Sequence, residues 1–402
     1  MIAGYRNVLA MPGCTRVLIT ALIGRLPQGM SSLAILLLVR RTTGSYAAAG
    51  IAVGASALAC ATIAPLLGRL VDRVGRRRVL FPVACGQALA LVALVLAAEA
   101  GAPAPALVAL AGAAGGMQPP IAPTVRALLR EILPDHATRE VGYSLESVVQ
   151  ELIWITGPLV VAIVIALSSP AVAVVLCAAV GVGGAALFVS SPRVAGAGSP
   201  ARLAPRTRAL AIPQLRALLG PIALTGMALG AIEVGLPALA LHAHSRPATG
   251  LLLALWSVGS MTGGLWYGSR SWQAPLARRY RGLLLAGIAC TAPLILARTI
   301  PEDAVCSLVA GLTTAPVFAC QYSLIGRAVT AGVETEAFTW VAAALISGLA
   351  AGSALGGAII GAGGESAPFV LACAATALAA LAAVRAVGDG SPPKPSAAAQ
   401  AA

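Results

Sequence analysis

Polar residues in this chain come in short bursts between long apolar runs. The runs fall at 17–39, 45–67, 79–99, 104–125, 145–167, 171–190, 217–240, 249–268, 282–299, 304–325, 338–360 and 366–385. Each is close to the roughly 20 residues an α-helix needs to cross the hydrocarbon of a bilayer. The spacing therefore predicts an all-α polytopic membrane protein with about twelve transmembrane helices. The one long break, SPRVAGAGSPARLAPRTRALAIPQL, begins at Ser191. It separates a bundle at 1–190 from a second at 217–385, with 191–216 as linker. The Pro/Ala/Ser-rich stretch 386–402 reads as a disordered tail.

The two halves read as distant copies. Gly50 and Gly68 of the second span recur as Gly250 and Gly268 of the eighth, 200 positions on, and Gly112 of the fourth has a counterpart at Gly311 of the tenth, 199 on. Parallel repeats related by an axis along the membrane normal are a transporter plan. Small residues crowd the helices, as in GLAAGSALGGAIIGAGG at 348–364. In lipid, such residues let helix backbones approach closely where no hydrophobic force pulls helices together. Prolines in the fourth and seventh spans (GMQPPIAP, EVGLP) predict kinks.

Composition agrees: 58% of the 402 residues are hydrophobic and 10% charged, with a mean hydropathy of +0.89. The net charge of +13 would by itself fit a nucleic-acid partner. The placement of the arginines decides against that. With a cytoplasmic N-terminus they fill the inner loops (Arg69 to Arg78, Arg126, Arg130, Arg139, Arg193 to Arg216, Arg270 to Arg281, Arg327), while the outer loops hold Arg40, Arg41, Arg246 and Arg298. This is the asymmetry of the positive-inside rule, so both termini are expected in the cytoplasm. The first apolar run follows a polar start at Tyr5, Arg6 and Asn7 and is a full span, which reads as an anchor rather than a cleaved leader. Eight cysteines lie mostly within apolar runs without paired spacing and read as core residues.

Ionisable groups inside a membrane need a partner or a wet cavity. Arg25 lies a third of the way into the first span beside Gln28; Glu146, Gln150 and Glu151 lie in the inner half of the fifth; Glu233 lies near the middle of the seventh. Counting along the helices puts Arg25 and Glu151 at similar depth, which predicts an ion pair between them, structural or gating in role. Glu233 lies further out with no cationic mate. It is the first choice for a proton carrier, or else a water-bonded packing group. Trp154 and Trp256 are the tryptophans best placed for a cavity. His242 and His244 lack a third ligand, so no metal site is expected. No nucleotide-binding loop, nucleophile–base pair or zinc-protease pattern occurs in a credible context, which leaves no catalytic residue and no cofactor to name.

Between the second and third spans stands GRLVDRVGRRR, residues 68–78, with a glycine pivot at each end of an acid. As charge alone it would be a topological anchor. Its order resembles the loop between helices 2 and 3 of major facilitator superfamily transporters: Gly68, Asp72, Arg73, Gly75, Arg76 and Arg77 fall in register with that pattern. In the second half Trp272 and Pro275 replace the acid and the glycine, while Arg278 and Arg279 keep the basic character, the degraded copy common in that family. The resemblance implies two six-helix bundles around a central cavity and alternating access. It also implies a gate in which Asp72 and Arg73 hold the inner ends of helices 2 and 11 together. Two features depart from it: the fourth span has Gln118 and Pro119 where proton-coupled members often have a mid-membrane arginine, with Arg126 at its inner end, and the fifth has Gly157 and Pro158 without a fuller glycine pattern.

The cavity wall would come from the first, fourth, seventh and tenth spans, mainly apolar with Gln28, Gln118, Glu233, Gln321 and Tyr322. Such a wall suits an amphipathic organic molecule. The reading is a monomeric secondary transporter of the plasma membrane that exports a drug or secondary metabolite by proton antiport. Its alternatives are an uptake permease for a small organic nutrient and a non-transporting membrane scaffold or sensor.

Overall fold

The computed structural model describes residues 2–196, 208–242, 246–297 and 299–386. Every described element is helical: α1 (Ile2–Ala10), α2 (Cys14–Thr43), α3 (Tyr46–Val74), α4 (Arg76–Glu99), α5 (Ala104–Gly116), α6 (Ile121–Ile132), α7 (His136–Leu167), α8 (Pro170–Val189), α9 (Pro192–Gly196), α10 (Pro213–His242), α11 (Arg246–Gly268), α12 (Leu276–Thr291), α13 (Ile300–Gly311), α14 (Thr314–Ala328), α15 (Glu334–Gly363) and α16 (Ala367–Ala386). Ten of the crossings are long and apolar enough by length and composition, with α13 and α14 counted as one. The α5–α6 pair and the short α12, which runs on as a 3-10 turn at Ala292–Ile295, lie where the other two spans are expected.

Each irregularity has a local cause. The fourth crossing breaks at Met117–Pro120 because Pro119 and Pro120 cannot donate to the helical ladder. The bend between α3 and α4 is a single residue, Gly75, at φ 104, a conformation that penalises any side chain. The fifth crossing starts nine residues before its apolar run, at His136, because Asp135 caps it: its carboxylate accepts from the Thr138 amide at 2.8 Å. This extension carries Arg139, Glu140 and Tyr143, polar on one side and buried on the other.

Helices α2 to α8 pack as one group and α10 to α16 as another. Within the second group α10 and α15 share the most extensive contact, through glycines on both sides. A Cβ on Gly226 or Gly230 would strike the carbonyls of Leu345 and Leu349, and one on Gly348 or Gly352 those of Ala223 and Met227. The two groups meet through α3 with α15, α7 with α11 and α14, and α6 with α15. These contacts lie toward the arginine-rich end. Toward the other end Gly50, Gly54 and Gly250 face open space.

The internal repeat is visible in these contacts. Gly68 packs on the Thr339 side chain of α15, and Gly268 packs on Ser144 of α7, so the two stand at equivalent crossings between the groups. The expected match of Gly112 with Gly311 shifts. It is Gly115 that abuts the Ser56 carbonyl of α3 as Gly311 abuts the Trp256 carbonyl of α11, while Gly112 touches Ala55 only loosely. The offset is thus 200 for the second and eighth crossings and 196 for the fourth and tenth, since the segment from Gly68 to Gly115 is four residues longer than that from Gly268 to Gly311. Of the expected linker only the two ends are described, α9 and a 3-10 turn at Ala209–Ala211. Residues 387–402, and His244, lie outside the described residues.

Candidate functional site

At the arginine-rich end the loop 68–78 meets the start of α15. The Asp72 carboxylate accepts from the backbone amides of Thr335 at 3.2 Å and Glu336 at 2.8 Å. Those amides are free because they open a helix, and its dipole favours an anion there. Gly68, one turn earlier, is what lets α3 approach: a Cβ would collide with Thr339. Arg73 is exposed and takes no part, contrary to the expected partnership with Asp72. Arg76 is buried instead and donates to Glu131 at the end of α6, at 3.1 Å from one of its nitrogens. Arg77 is exposed.

Three further ion pairs bind the groups at this end. Arg130, in the last turn of α6, donates to Glu334 in the first turn of α15 at 3.1 Å. Arg327, in the last turn of α14, donates to Glu140 near the start of α7 at 2.7 Å, and Arg279 of α12 donates to the same carboxylate at 2.8 Å. The fourth crossing of each half thus reaches the fifth crossing of the other, a pair of contacts related by the repeat. Ser144 and Tyr5 add hydrogen bonds to the Gly264 carbonyl at 2.6 and 3.1 Å.

Deeper in the bundle the expected pairing changes. Arg25 is 2% exposed and donates to both carboxylate oxygens of Glu146 at 2.9 Å, with its other nitrogen on Gln150. Glu151, the predicted partner, turns away and accepts from Ser260 of α11 at 2.9 Å. Depth along a helix was a sound guide, but angle decides. Glu146 and Gln150 are four residues apart and share the face toward α2, whereas Glu151 lies 100° further round.

Arg126 joins this cluster, 3.4 Å from Glu146 and with its guanidinium 3.9 Å from the centre of the Tyr322 ring on α14. Sequence reasoning put Arg126 at the end of the fourth crossing, because the apolar run stops there. The helix continues to Ile132, and α6 is buried from Ile121 to Leu129, so the arginine lies well inside. A usable signal was the second charge one turn on, Arg130, which marks the true end. The Nε atoms of Arg25 and Arg126 and the amide nitrogen of Gln150 are buried without a partner.

The remaining candidates scatter. Gln321 does not line a cavity. It is 1% exposed and donates to Thr225 and Tyr280, both at 3.1 Å, bracing α14 against α10 and α12. Gln28 and Gln118 are half-buried, Gln118 at the break between α5 and α6. Glu233 is exposed, with no hydrogen bond or ion pair among the described residues, and it lies in the membrane-spanning α10. Trp256 is buried and Trp154 is 47% exposed. His242 lies 3.4 Å from Glu365, and among the described residues no three metal-ligating side chains come together.

The Major Facilitator Superfamily family model matches residues 17–303. No relative is found among curated proteins. Among solved structures, the human organic anion transporter MFSD10 (TETRAN) superimposes with a TM-score of 0.74 at 17% identity, covering 92% of this chain and 99% of that one. A bacterial homologue of the iron transporter ferroportin, in an outward-facing state with soaked iron, gives 0.72 at 14% identity over 93% of this chain and 99% of that one. At these identities the likeness is one of fold.

Proposed function

This chain belongs to the major facilitator superfamily, whose members are transmembrane transporters, and we propose that it exports a small amphipathic organic compound in exchange for protons. The observation that carries the proposal is Glu233, a carboxylate in the membrane-spanning α10 that makes no hydrogen bond or ion pair among the described residues. Glu151 is held by one hydroxyl, and Glu233 has no cationic partner among the described residues. A carboxylate charge without a counter-ion resists burial when the halves close around it. A proton on it removes that resistance, which gives the halves a reason to rock only when loaded.

The contacts at the arginine-rich end support a state closed on one side and open on the other. With the arginines in the cytoplasm, the closed side is the inner one and the open side faces out. Both termini would then be cytoplasmic, in the plasma membrane. Rocking of the halves about the site alternates access. With Glu233 as its one carboxylate, a mainly apolar wall carrying the half-buried Gln28 and Gln118 favours an amphipathic cargo over a multiply charged one.

The test is transport of a fluorescent amphipathic dye in proteoliposomes under imposed proton gradients of both signs. Uphill dye movement against an inward proton flow is expected, and Glu233→Gln should uncouple it. Gradient-driven exchange that survives Glu233→Gln would refute the role of that carboxylate, and dye movement in the same direction as the protons would refute exchange.

A further inference from the structure

At the arginine-rich end, on the flank away from the meeting of the two halves, a groove of about 900 Å³ opens where α4 and α8 reach the membrane surface. One wall is the start of α4, with Arg76, Arg77 and Arg78; the other is apolar, with Phe81, Pro82 and Ala186. Arg76 is committed to Glu131. Arg77 and Arg78 are exposed, no carboxylate is among the residues that line the groove, and no side chain caps the first amides of α4. Phe81 is 38% exposed although it lies in a membrane-spanning helix, so the apolar wall faces the hydrocarbon.

A basic rim above an apolar wall, at the level where helices leave the membrane, matches a phosphate carrying acyl chains. Arginine forks grip phosphate oxygens, and basic pockets between transmembrane helices hold anionic headgroups. The stretch 197–207 is a poor occupant by its chemistry, since it carries Arg202 and Arg206 and no acid.

We propose that this groove binds an anionic phospholipid, its phosphate at Arg77 and Arg78 and its chains along Phe81, Pro82 and Ala186. The basic wall continues through Gly75 into Asp72, so a bound lipid steadies the loop that meets α15. Lipid occupancy and closure of the arginine-rich end then favour each other.

The experiment is native mass spectrometry of the full chain, extracted from vesicles of phosphatidylcholine with or without phosphatidylglycerol. One phosphatidylglycerol is expected to remain bound where phosphatidylcholine does not. Arg77→Gln with Arg78→Gln should lower its retention at least tenfold, while Arg208→Gln with Arg216→Gln, the same loss of charge elsewhere at this end, should not. Ala186→Phe, which fills the apolar wall and leaves the charge intact, should also lower retention. Equal retention of the two lipids, unchanged retention in the Arg77/Arg78 variant, or unchanged retention in Ala186→Phe would each overturn the proposal.

Discussion

The guanidinium of Arg126 lies over the ring of Tyr322, 3.9 Å from its centre, and the two side chains belong to different halves of the bundle. Both are at most 4% exposed, so the contact is desolvated, where a cation–ring attraction is worth about 2 kcal/mol. In a double-mutant cycle on thermal unfolding in detergent, Tyr322→Leu should cost about 2 kcal/mol more in the presence of Arg126 than in an Arg126→Gln background. Additive effects would show that the ring and the cation do not interact.

Glu146 faces two arginines, and Glu151 faces one hydroxyl. Glu146→Gln leaves two buried cations without a counter-charge and should destabilise the fold by about 3–5 kcal/mol. Glu151→Gln keeps a hydrogen-bonding group beside Ser260 and should cost no more than about 1.5 kcal/mol. Denaturation of the two variants side by side settles the assignment: a larger loss at Glu151 would restore the pairing expected from depth alone.

The same two residues show what could be read from the chain. Apolar runs of the right length pointed to an all-α polytopic fold and the order of its crossings, and Asp72, which the resemblance placed in a gate, accepts from the Thr335 and Glu336 amides of α15. Partners across helices were not legible, because they depend on helix rotation and on where each helix truly ends. Depth alone pairs Arg25 with Glu151, the end of the apolar run puts Arg126 at the edge of the bundle, and polarity alone puts Gln321 in a cavity, whereas its amide braces Thr225 and Tyr280.

Glu140 accepts from both Arg279 and Arg327, whereas Glu334 accepts from Arg130 across the groups. Glu140→Gln should therefore loosen the arginine-rich end more than Glu334→Gln does. Cysteine labelling from that side, with a reporter introduced at Ser147, should rise severalfold in the first variant and less in the second. Because Arg327 is 41% exposed, high salt should bring the parent protein part of the way to the variant. The reverse order, or no salt effect, would mean that these pairs do not hold the end closed.

Asp135 lies outside the membrane helices, and the Thr138 hydroxyl and amide hold its carboxyl below the usual range. A carboxyl depressed in the folded state contributes stability above its unfolded value, near 4, and loses it as pH falls through the folded value. Asp135→Ala should cost about 1 kcal/mol at neutral pH, as for other helix caps. The difference in melting temperature between the two proteins should shrink as pH falls below about 4. A difference that stays constant down to pH 2 would mean that the charge is not what caps α7.

Gly68 and Gly268 stand at equivalent crossings of the repeat, and in each a Cβ would strike the other half: Thr339 from the first, Ser144 and Tyr5 from the second. Gly68→Ala and Gly268→Ala should therefore both hinder closure of the arginine-rich end and slow transport to a similar degree, although only the first lies in the charged loop. Gly50→Ala and Gly250→Ala, the other matched pair, face open space and should leave transport unchanged. Alanine also favours a helix over glycine by about 1 kcal/mol, so all four variants gain locally. Loss of function confined to the first pair would then come from the contact between halves. If Gly68→Ala alone impaired transport, the charged loop would act by its sequence and not by a packing surface that the repeat supplies twice.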